Sequence, residues 1–451
     1  MQSSESREES GRARIRRTGR FGVDDIELLR STFEKYDLGE GTPWDDFRDA
    51  CFELPPWFEP GLDPRSQEYS AQQKRLWGVL AGVAREYDPA IDEREAPFPT
   101  VDHARSPGHF VRRDPNAVRA VADHFIATGM IMKHCNVKPG DWALEYGAGF
   151  AQTSLQLARL GVNVDTVDIS SAFCQAVRDQ AELFRVPLTA FHGHFGWNPR
   201  GQQKYDLILF YESFHHCLEF LDVVPKLKQH LAPGGRIVLA GEPVVPRESA
   251  AVPYPWGLRL HSSVVAVIRQ YRWFELGFTE DFLFEVFANA GFSASRMACD
   301  VSTCGEGYVF SHRPDRVSLG SCWLPPAVHD GWYGSEAGGR WTKRHATLPL
   351  DCSDSFDALA IEAINFHPFE VTVDFAYGAA TRSVRFGPRE TRSVTVSARE
   401  KARRLEITAD TYAPAHSYGA ESVPSIDTRP LGIFVTEVRY ERGLEGGSES
   451  R

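Results

Sequence analysis

The stretch 143–170, ALEYGAGFAQTSLQLARLGVNVDTVDIS, constrains the fold more than any other part of the chain. An apolar run ending in Glu145 meets a turn with Gly147 and Gly149, and an amphipathic segment starts near Gln152. A second apolar run then ends in Asp168. Strand, glycine turn, helix and strand in this order form the first half of a parallel α/β unit. Glycine without a Cβ lets a ligand lie against the backbone at the strand end. The amides at the helix start then offer partial positive charge to a carboxylate or phosphate.

The same alternation continues. Strands are expected at 142–147, 163–169, 188–193, 205–213, 236–242, 292–298 and 307–312, with helices between the first several. This pattern implies a mostly parallel sheet covered on both faces. The last two strands lack a helix between them, which points to one antiparallel strand at an edge. Ahead of this region, residues 21–135 read as helical and Pro-punctuated, with apolar residues three and four apart in DDIELLRSTFEKY and AQQKRLWGVLAGVAREY. A third helix is expected after Asp114-Pro115.

Beyond Pro314 the period changes to two, with turn residues about every ten positions, so residues 320–441 read as an all-β sandwich. The polar ends, 1–20 and 442–451, read as disordered tails. No apolar run approaches the roughly 20 residues of a membrane span. A net charge of −11 gives nucleic acid no electrostatic claim as main partner. Eight scattered cysteines without a CxxC pair suit reduced thiols and a cytoplasmic protein, with no zinc spacing.

Two ligand classes fit the glycine turn at this point. Asp168 lies nineteen residues after Gly149, placed for the ribose hydroxyls of a nucleoside. A GxGxxG dinucleotide fingerprint needs glycine at 152, where the chain has Gln152. The order acidic-x-Gly-x-Gly-x-Ala instead resembles motif I of class I methyltransferases, with Ala151 where that family often has glycine. Tyr205-Asp206 opening the fourth strand, the His215-His216 pair after it, and Leu231-x-Pro233-Gly234-Gly235 before the fifth add to the likeness, which spans about 136–313.

The resemblance implies a Rossmann-like seven-stranded domain that uses S-adenosylmethionine. By it, Glu145 helps hold the cofactor's amino group, Gly147, Ala148 and Gly149 line the cofactor, Asp168 binds its ribose, and His194 or Phe195 approaches adenine. Glu212 sits at a strand end facing the same crevice and is counted with the cofactor residues. For an alcohol acceptor a histidine base is the usual choice near neutral pH, and His215 and His216 are both candidates. A structural role for the pair is the alternative. Glu212 and Glu242 with a histidine form a weaker metal reading, and no metal is expected.

Acceptor choice should come from additions to the core. The insert 244–278 carries Tyr254, Trp256, Arg259, Tyr271, Arg272 and Trp273, which suit a sugar ring, an acidic group or plain lid packing. Arg112 and Arg113, in the segment 103–116, suit anion contacts or a solvated loop. In the C-terminal region, Gly331-Trp332-Tyr333, Glu336, Arg340-Trp341 and a closing Asp427-Thr-Arg429-x-Leu-Gly resemble β-sandwich modules of bacterial enzymes that build or modify surface polysaccharides. Trp323, Trp332 and Trp341 there are either sugar platforms or core residues. These features favour O-methylation of a sugar or glycan. A small natural product or nitrogen acceptor, and a non-catalytic glycan-binding scaffold, are the alternatives; the oligomeric state is not legible.

Overall fold

The computed structural model describes residues 2–441 apart from 38–43, 94–103, 112, 114, 246–250, 254, 313–315, 321–323, 325–329, 337, 351–357, 398–403 and 418–426. The expectations placed on Arg112, Tyr254, Trp323 and the tail 442–451 lie outside the described residues. The chain forms two compact units, Met1–Phe282 with Arg296–Val309, and Leu283–Ser295 with Phe310–Arg451. Sequence texture places the change at Pro314. The structure draws 283–295 into the second unit through aromatic contacts, Phe287 stacking on Phe310 at 3.7 Å and Phe292 on His312 at 5.8 Å.

Seven strands make the central sheet: β1 (Trp142–Tyr146), β2 (Asn163–Asp168), β3 (Leu188–His192), β4 (Tyr205–Tyr211), β5 (Leu231–Ala240), β6 (Phe292–Met297) and β7 (Gly307–His312). Their order is β6-β7-β5-β4-β1-β2-β3. Pairings β1–β2, β1–β4, β2–β3 and β4–β5 are parallel. A dinucleotide sheet of six strands runs 3-2-1-4-5-6, so the strand set between β5 and β6 marks a different variant. Strand order reverses between β1 and β4, and ligands of open α/β sheets bind at that crevice. Burial on both faces explains the near-continuous apolar strands, with Tyr205, Leu207, Ile208, Leu209 and Phe210 all buried in β4.

Helices Gln152–Arg159, Ser171–Phe184 and Phe220–His230 follow β1, β2 and β4. Residues 193–204, between β3 and β4, form turns without a helix, which departs from the expected alternation. Gly193 shows the reason for its compact path: a Cβ there would fall 2.4 Å from the Trp197 ring.

The first residues correct the tail expectation. Gln2–Thr18 is helical, anchored by fully buried Ile15, an Arg14–Asp25 ion pair, and Arg12 donating to the Thr32 hydroxyl. Further helices span Ile26–Asp37, Gln67–Ala81 and Ala117–His134. Ser66 caps the third of these four by accepting the Tyr69 N–H, and Gly82 ends it in the left-handed region. The helical reading of AQQKRLWGVLAGVAREY therefore stops at Ala81.

The insert folds as strands Val244–Val245, Trp256–Leu258 and Leu276–Thr279 with helix Ser262–Tyr271. It packs on the N-terminal helices rather than standing alone as a lid. Trp256 is buried and donates to the Pro64 carbonyl at 2.8 Å, Trp77 donates to the Arg272 carbonyl at 2.9 Å, and Gln73 accepts the Leu258 N–H. No described helix is long and apolar enough to cross a membrane.

In the second unit, strands Trp332–Glu336, Gly339–Thr342, Phe434–Glu441, Ala358–Ile364 and Thr391–Ser397 form one sheet, joined by Arg316–Ser318. His345–Pro349, Arg404–Ala409, Val371–Tyr377 and Ala380–Phe386 form another. Leu359 and Ile361 from the first share a core with Val373, Phe375 and Ile407 from the second. Trp332 and Trp341 are 4% and 7% exposed, so both serve packing and neither is a sugar platform. The motif that suggested such a platform closes the sheet instead: Arg429 bonds Asp427 at 2.7 Å and Glu336 at 2.6 Å and lies 5.1 Å over the Tyr333 ring.

Candidate active site

The glycine turn after β1 shows why its residue types are needed. Gly147 and Gly149 have φ of +63° and +51°. A Cβ on Gly147 would strike Ser213 Cβ at 2.7 Å, so this glycine lets the turns after β1 and β4 touch. A Cβ on Gly149 would project into open space, the place where a ligand can lie on bare backbone. Ala151 sits at φ +50°, a left-handed position that costs a Cβ-bearing residue about 1–2 kcal/mol. Glycine is the residue such a position favours, so Ala151 departs from the motif at a conformational cost.

Glu145 is buried, and its Oε2 has no hydrogen-bond partner among the described residues. Burial pushes its carboxyl up to about 7, with Asp168 adding to the rise and Ser154 opposing it. An orphaned carboxylate oxygen beside an open backbone cradle fits the ammonium of a methionine moiety. Asp168 accepts the Gly149 N–H through Oδ2 at 2.9 Å and the Ser170 N–H through Oδ1 at 2.8 Å. It therefore shapes the turn through both carboxylate oxygens. Ala148 is half-buried against the core, and Phe195 lies beside Gly147 with its ring on Tyr146 and Phe210. His194 is exposed. The structure thus gathers Glu145, Gly147, Ala148, Gly149, Asp168 and Phe195 at the switch point, a set that fits S-adenosylmethionine.

Glu212 follows β4 at φ +49°. Its carboxylate accepts the Cys304 thiol at 3.7 Å and lies 3.9 Å from Nδ1 of His124, which also contacts the Tyr211 hydroxyl. His124 belongs to helix Ala117–His134 and was not legible as a site residue, since it sits in an ordinary amphipathic pattern.

The histidine pair lies in a short turn, residues 214–216, held from behind by Glu242. Glu242 Oε1 accepts the N–H groups of Ser213 and Phe214 at 2.9 and 2.8 Å. Its Oε2 accepts the His215 N–H at 3.0 Å and lies 2.8 Å from His215 Nδ1. Burial raises the Glu242 carboxyl and the three backbone N–H groups oppose that rise; a carboxylate held by them favours the His215 tautomer with its hydrogen on Nδ1. His215 Nε2 is then an acceptor, 3.6 Å from Glu275 Oε2.

The two rings are electrically different. Burial, reinforced by the neighbouring His216, lowers His215 well below its ordinary value. Burial acts the same way on His216, but the carboxylate of Glu93, 3.1 Å from its Nδ1, lifts it to about 9. The two rings are thus biased in opposite senses, His215 toward the neutral form and His216 toward the imidazolium. Glu275 is opposed by burial, yet Arg259 in contact with it and both histidines bring it down to about 2. Trp273 meets the His216 ring edge-on at 5.9 Å and stacks on Tyr271 at 4.7 Å.

His215, His216 and Glu275 each bring a ligand-type atom within 4.8 Å of the others. Arg259 against Glu275 places a fixed cation beside that point, which disfavours a divalent ion there. Glu93 and Glu275 were not picked out from sequence. Glu275 carries a usable signal, a lone carboxylate inside the apolar run WFELGF, while Glu93 sits in the polar stretch IDERE and carries none.

Residues 144–237 match the family model described as a methyltransferase domain. This domain is a class I S-adenosylmethionine-dependent methyltransferase. No curated protein matches the sequence. Among solved structures, YcgJ from Bacillus subtilis is 16% identical, with 39% of this chain and 71% of that one covered at a TM-score of 0.32. Magnesium protoporphyrin IX methyltransferase from Synechocystis, with its cofactor bound, is 14% identical over 44% and 83%, TM-score 0.31. A methyltransferase from Geobacter sulfurreducens in complex with S-adenosylhomocysteine is 20% identical over 26% and 47%, TM-score 0.23, so this chain spans about half of its length.

Proposed function

We propose that this methyltransferase modifies a hydroxyl of a sugar or glycan, with His215 as the base. The observation that carries the reading is the Glu242–His215 contact, which fixes the tautomer and leaves Nε2 to accept a proton. Bound S-adenosylmethionine supplies a methyl group already activated on a sulfonium. The chain must therefore align an acceptor, exclude water and remove one proton. As the acceptor oxygen forms its bond to the methyl carbon, its proton passes to His215 Nε2. His216, held toward its charged form by Glu93, is the poorer acceptor of that proton, which favours His215 of the two rings.

The lining supports a polyhydroxyl acceptor. Glu275 and Arg259 offer acceptor and donor side by side, and Trp273 with Tyr271 offers aromatic surface. The likeness of the C-terminal region to polysaccharide-modifying modules points the same way, now through its closing motif and not through exposed tryptophans. A nitrogen acceptor is the second reading, favoured by the carboxylate of Glu275, which suits an ammonium.

The test is methyl transfer to a panel of sugars, uronic acids, oligosaccharides and amines. His215→Ala should lose about 100-fold or more in turnover, the usual scale of general-base catalysis, while keeping its affinity for S-adenosylhomocysteine. Turnover preserved in His215→Ala would end the base assignment. Transfer to amines alone would replace the hydroxyl acceptor.

A further inference from the structure

We propose that Glu93, supplied by the region ahead of the methyltransferase domain, is a positioning residue of the methyl-transfer site that fixes and charges His216. The proposal rests on the reading of His215 as base for its kinetic consequence only. Its geometric basis is independent of any acceptor.

Glu93 follows the short helix Pro89–Asp92 and is nearly buried, with a side chain 10% exposed. Each oxygen has its own work. Oε1 accepts the Phe274 N–H at 2.6 Å and the Tyr87 hydroxyl at 2.8 Å. Oε2 faces His216 Nδ1 at 3.1 Å. One carboxylate therefore joins three segments far apart in sequence: the N-terminal region through Tyr87, the insert through Phe274, and the turn after β4 through His216. Taking a carboxylate out of water is costly unless it is paired, and here Oε1 accepts two hydrogen bonds while Oε2 faces the His216 ring. A residue needed only to hold the insert could be neutral, since an amide oxygen also accepts an N–H and a hydroxyl. The negative charge has one evident use, which is the imidazole ring.

The charges around His216 come from every element packed on it. Glu93 comes from the N-terminal region, Glu242 from the end of β5, Glu275 and Arg259 from the insert, and His215 from its own turn. Arg259 is committed to Glu275 and Glu242 to the turn amides, which leaves Glu93 as the nearest counterion of His216. A charged His216 in turn disfavours a second charge on His215, 4.3 Å away between ring centroids. Glu93 thus keeps His215 neutral and ready to accept a proton without touching it.

The experiment is titration of the histidine rings in the full-length protein by NMR of 13C-labelled histidine, with His216 assigned from a His216→Gln spectrum. Removing an opposite charge at this distance should lower the His216 midpoint in Glu93→Gln by about 1–3 pH units. Glu93→Asp should restore most of the shift. With an acceptor in hand, the acid limb of kcat/KM should move to higher pH in Glu93→Gln, because a neutral His216 no longer holds His215 down. Affinity for S-adenosylhomocysteine should stay within about twofold of wild type, a result expected of a residue outside the cofactor cradle. An unmoved His216 midpoint in Glu93→Gln overturns the proposal. So does a lowered midpoint with an unmoved acid limb. Should the glutamine variant fail to fold, a wild-type midpoint at or below the ordinary histidine value, about 6.5, overturns it without any variant. Because the titration needs no acceptor, failure of the sugar reading leaves this result intact.

Discussion

Glu242→Ala tests whether one buried carboxylate organises the turn that carries both histidines. The Glu242 side chain is 1% exposed and accepts three backbone N–H groups, those of Ser213, Phe214 and His215, besides the His215 ring. Alanine leaves these buried donors without a partner at roughly 1–3 kcal/mol each, or about 3–9 kcal/mol together. Relaxation and entering water should bring the observed loss to about 3–5 kcal/mol, a large part of the 5–15 kcal/mol that domains commonly possess. Glu242→Gln keeps one acceptor oxygen for Ser213 and Phe214 but turns an amide donor toward the His215 N–H and ring. It should cost about 1–3 kcal/mol while removing the orientation of His215. The two compact units make whole-chain unfolding ambiguous, so the assay is urea-dependent hydrogen exchange over residues 211–220, which reports this domain alone. An alanine variant within about 1 kcal/mol of wild type would refute the reasoning and show that water or another side chain serves those amides.

Asp168→Ala removes the acceptor for the Gly149 and Ser170 N–H groups as well as the proposed ribose partner. Calorimetry should show S-adenosylhomocysteine affinity falling about 10–100-fold, and an affinity within twofold of wild type would sink the ribose assignment. Glu145 gives a pH signature: its carboxyl, pushed up to about 7 by burial, lies above the ordinary value near 4.3 in an unfolded chain. The stability it contributes is full below about pH 4.3 and is lost as pH rises through 7, so the ligand-free domain should unfold more readily at pH 8 than at pH 5. Glu145→Gln should flatten that slope; an unchanged slope in the variant would show that another group causes it.

Legibility followed the range of the interactions. The glycine turn, Glu145 and Asp168 were readable because they act through local backbone conformation and a fixed strand–turn–helix–strand spacing. The helix Gln2–Thr18 was missed because its stability comes from Ile15 and Arg14 meeting residues outside it, while its own composition is that of a solvated tail. The tryptophans of the C-terminal region misled in the opposite sense. Trp332 and Trp341 belong to motifs that look like exposed platforms, and only the tertiary fold shows that they fill the sheet interior. Glu93 and Glu275 escaped because each becomes meaningful only when three distant segments converge on the histidine pair.

That convergence also bears on how acceptor choice is built. The glycine turn and Asp168, assigned to the cofactor by resemblance, come wholly from the sheet core. The acceptor side is different: of the side chains around His215 and His216, Glu242 alone belongs to the core path, while Glu93, Arg259, Glu275 and Trp273 come from the N-terminal region and the insert. Those two segments are bonded to each other through Trp77, Gln73 and Tyr87 with Glu93, so neither can shift without the other. Changes of acceptor should therefore come from substitutions in these two segments, whereas cofactor binding should tolerate them. Exchanging Arg259 and Glu275 together should alter the acceptor spectrum and leave cofactor affinity near wild type, because their charges pair with each other and with the histidines, and not with the glycine turn.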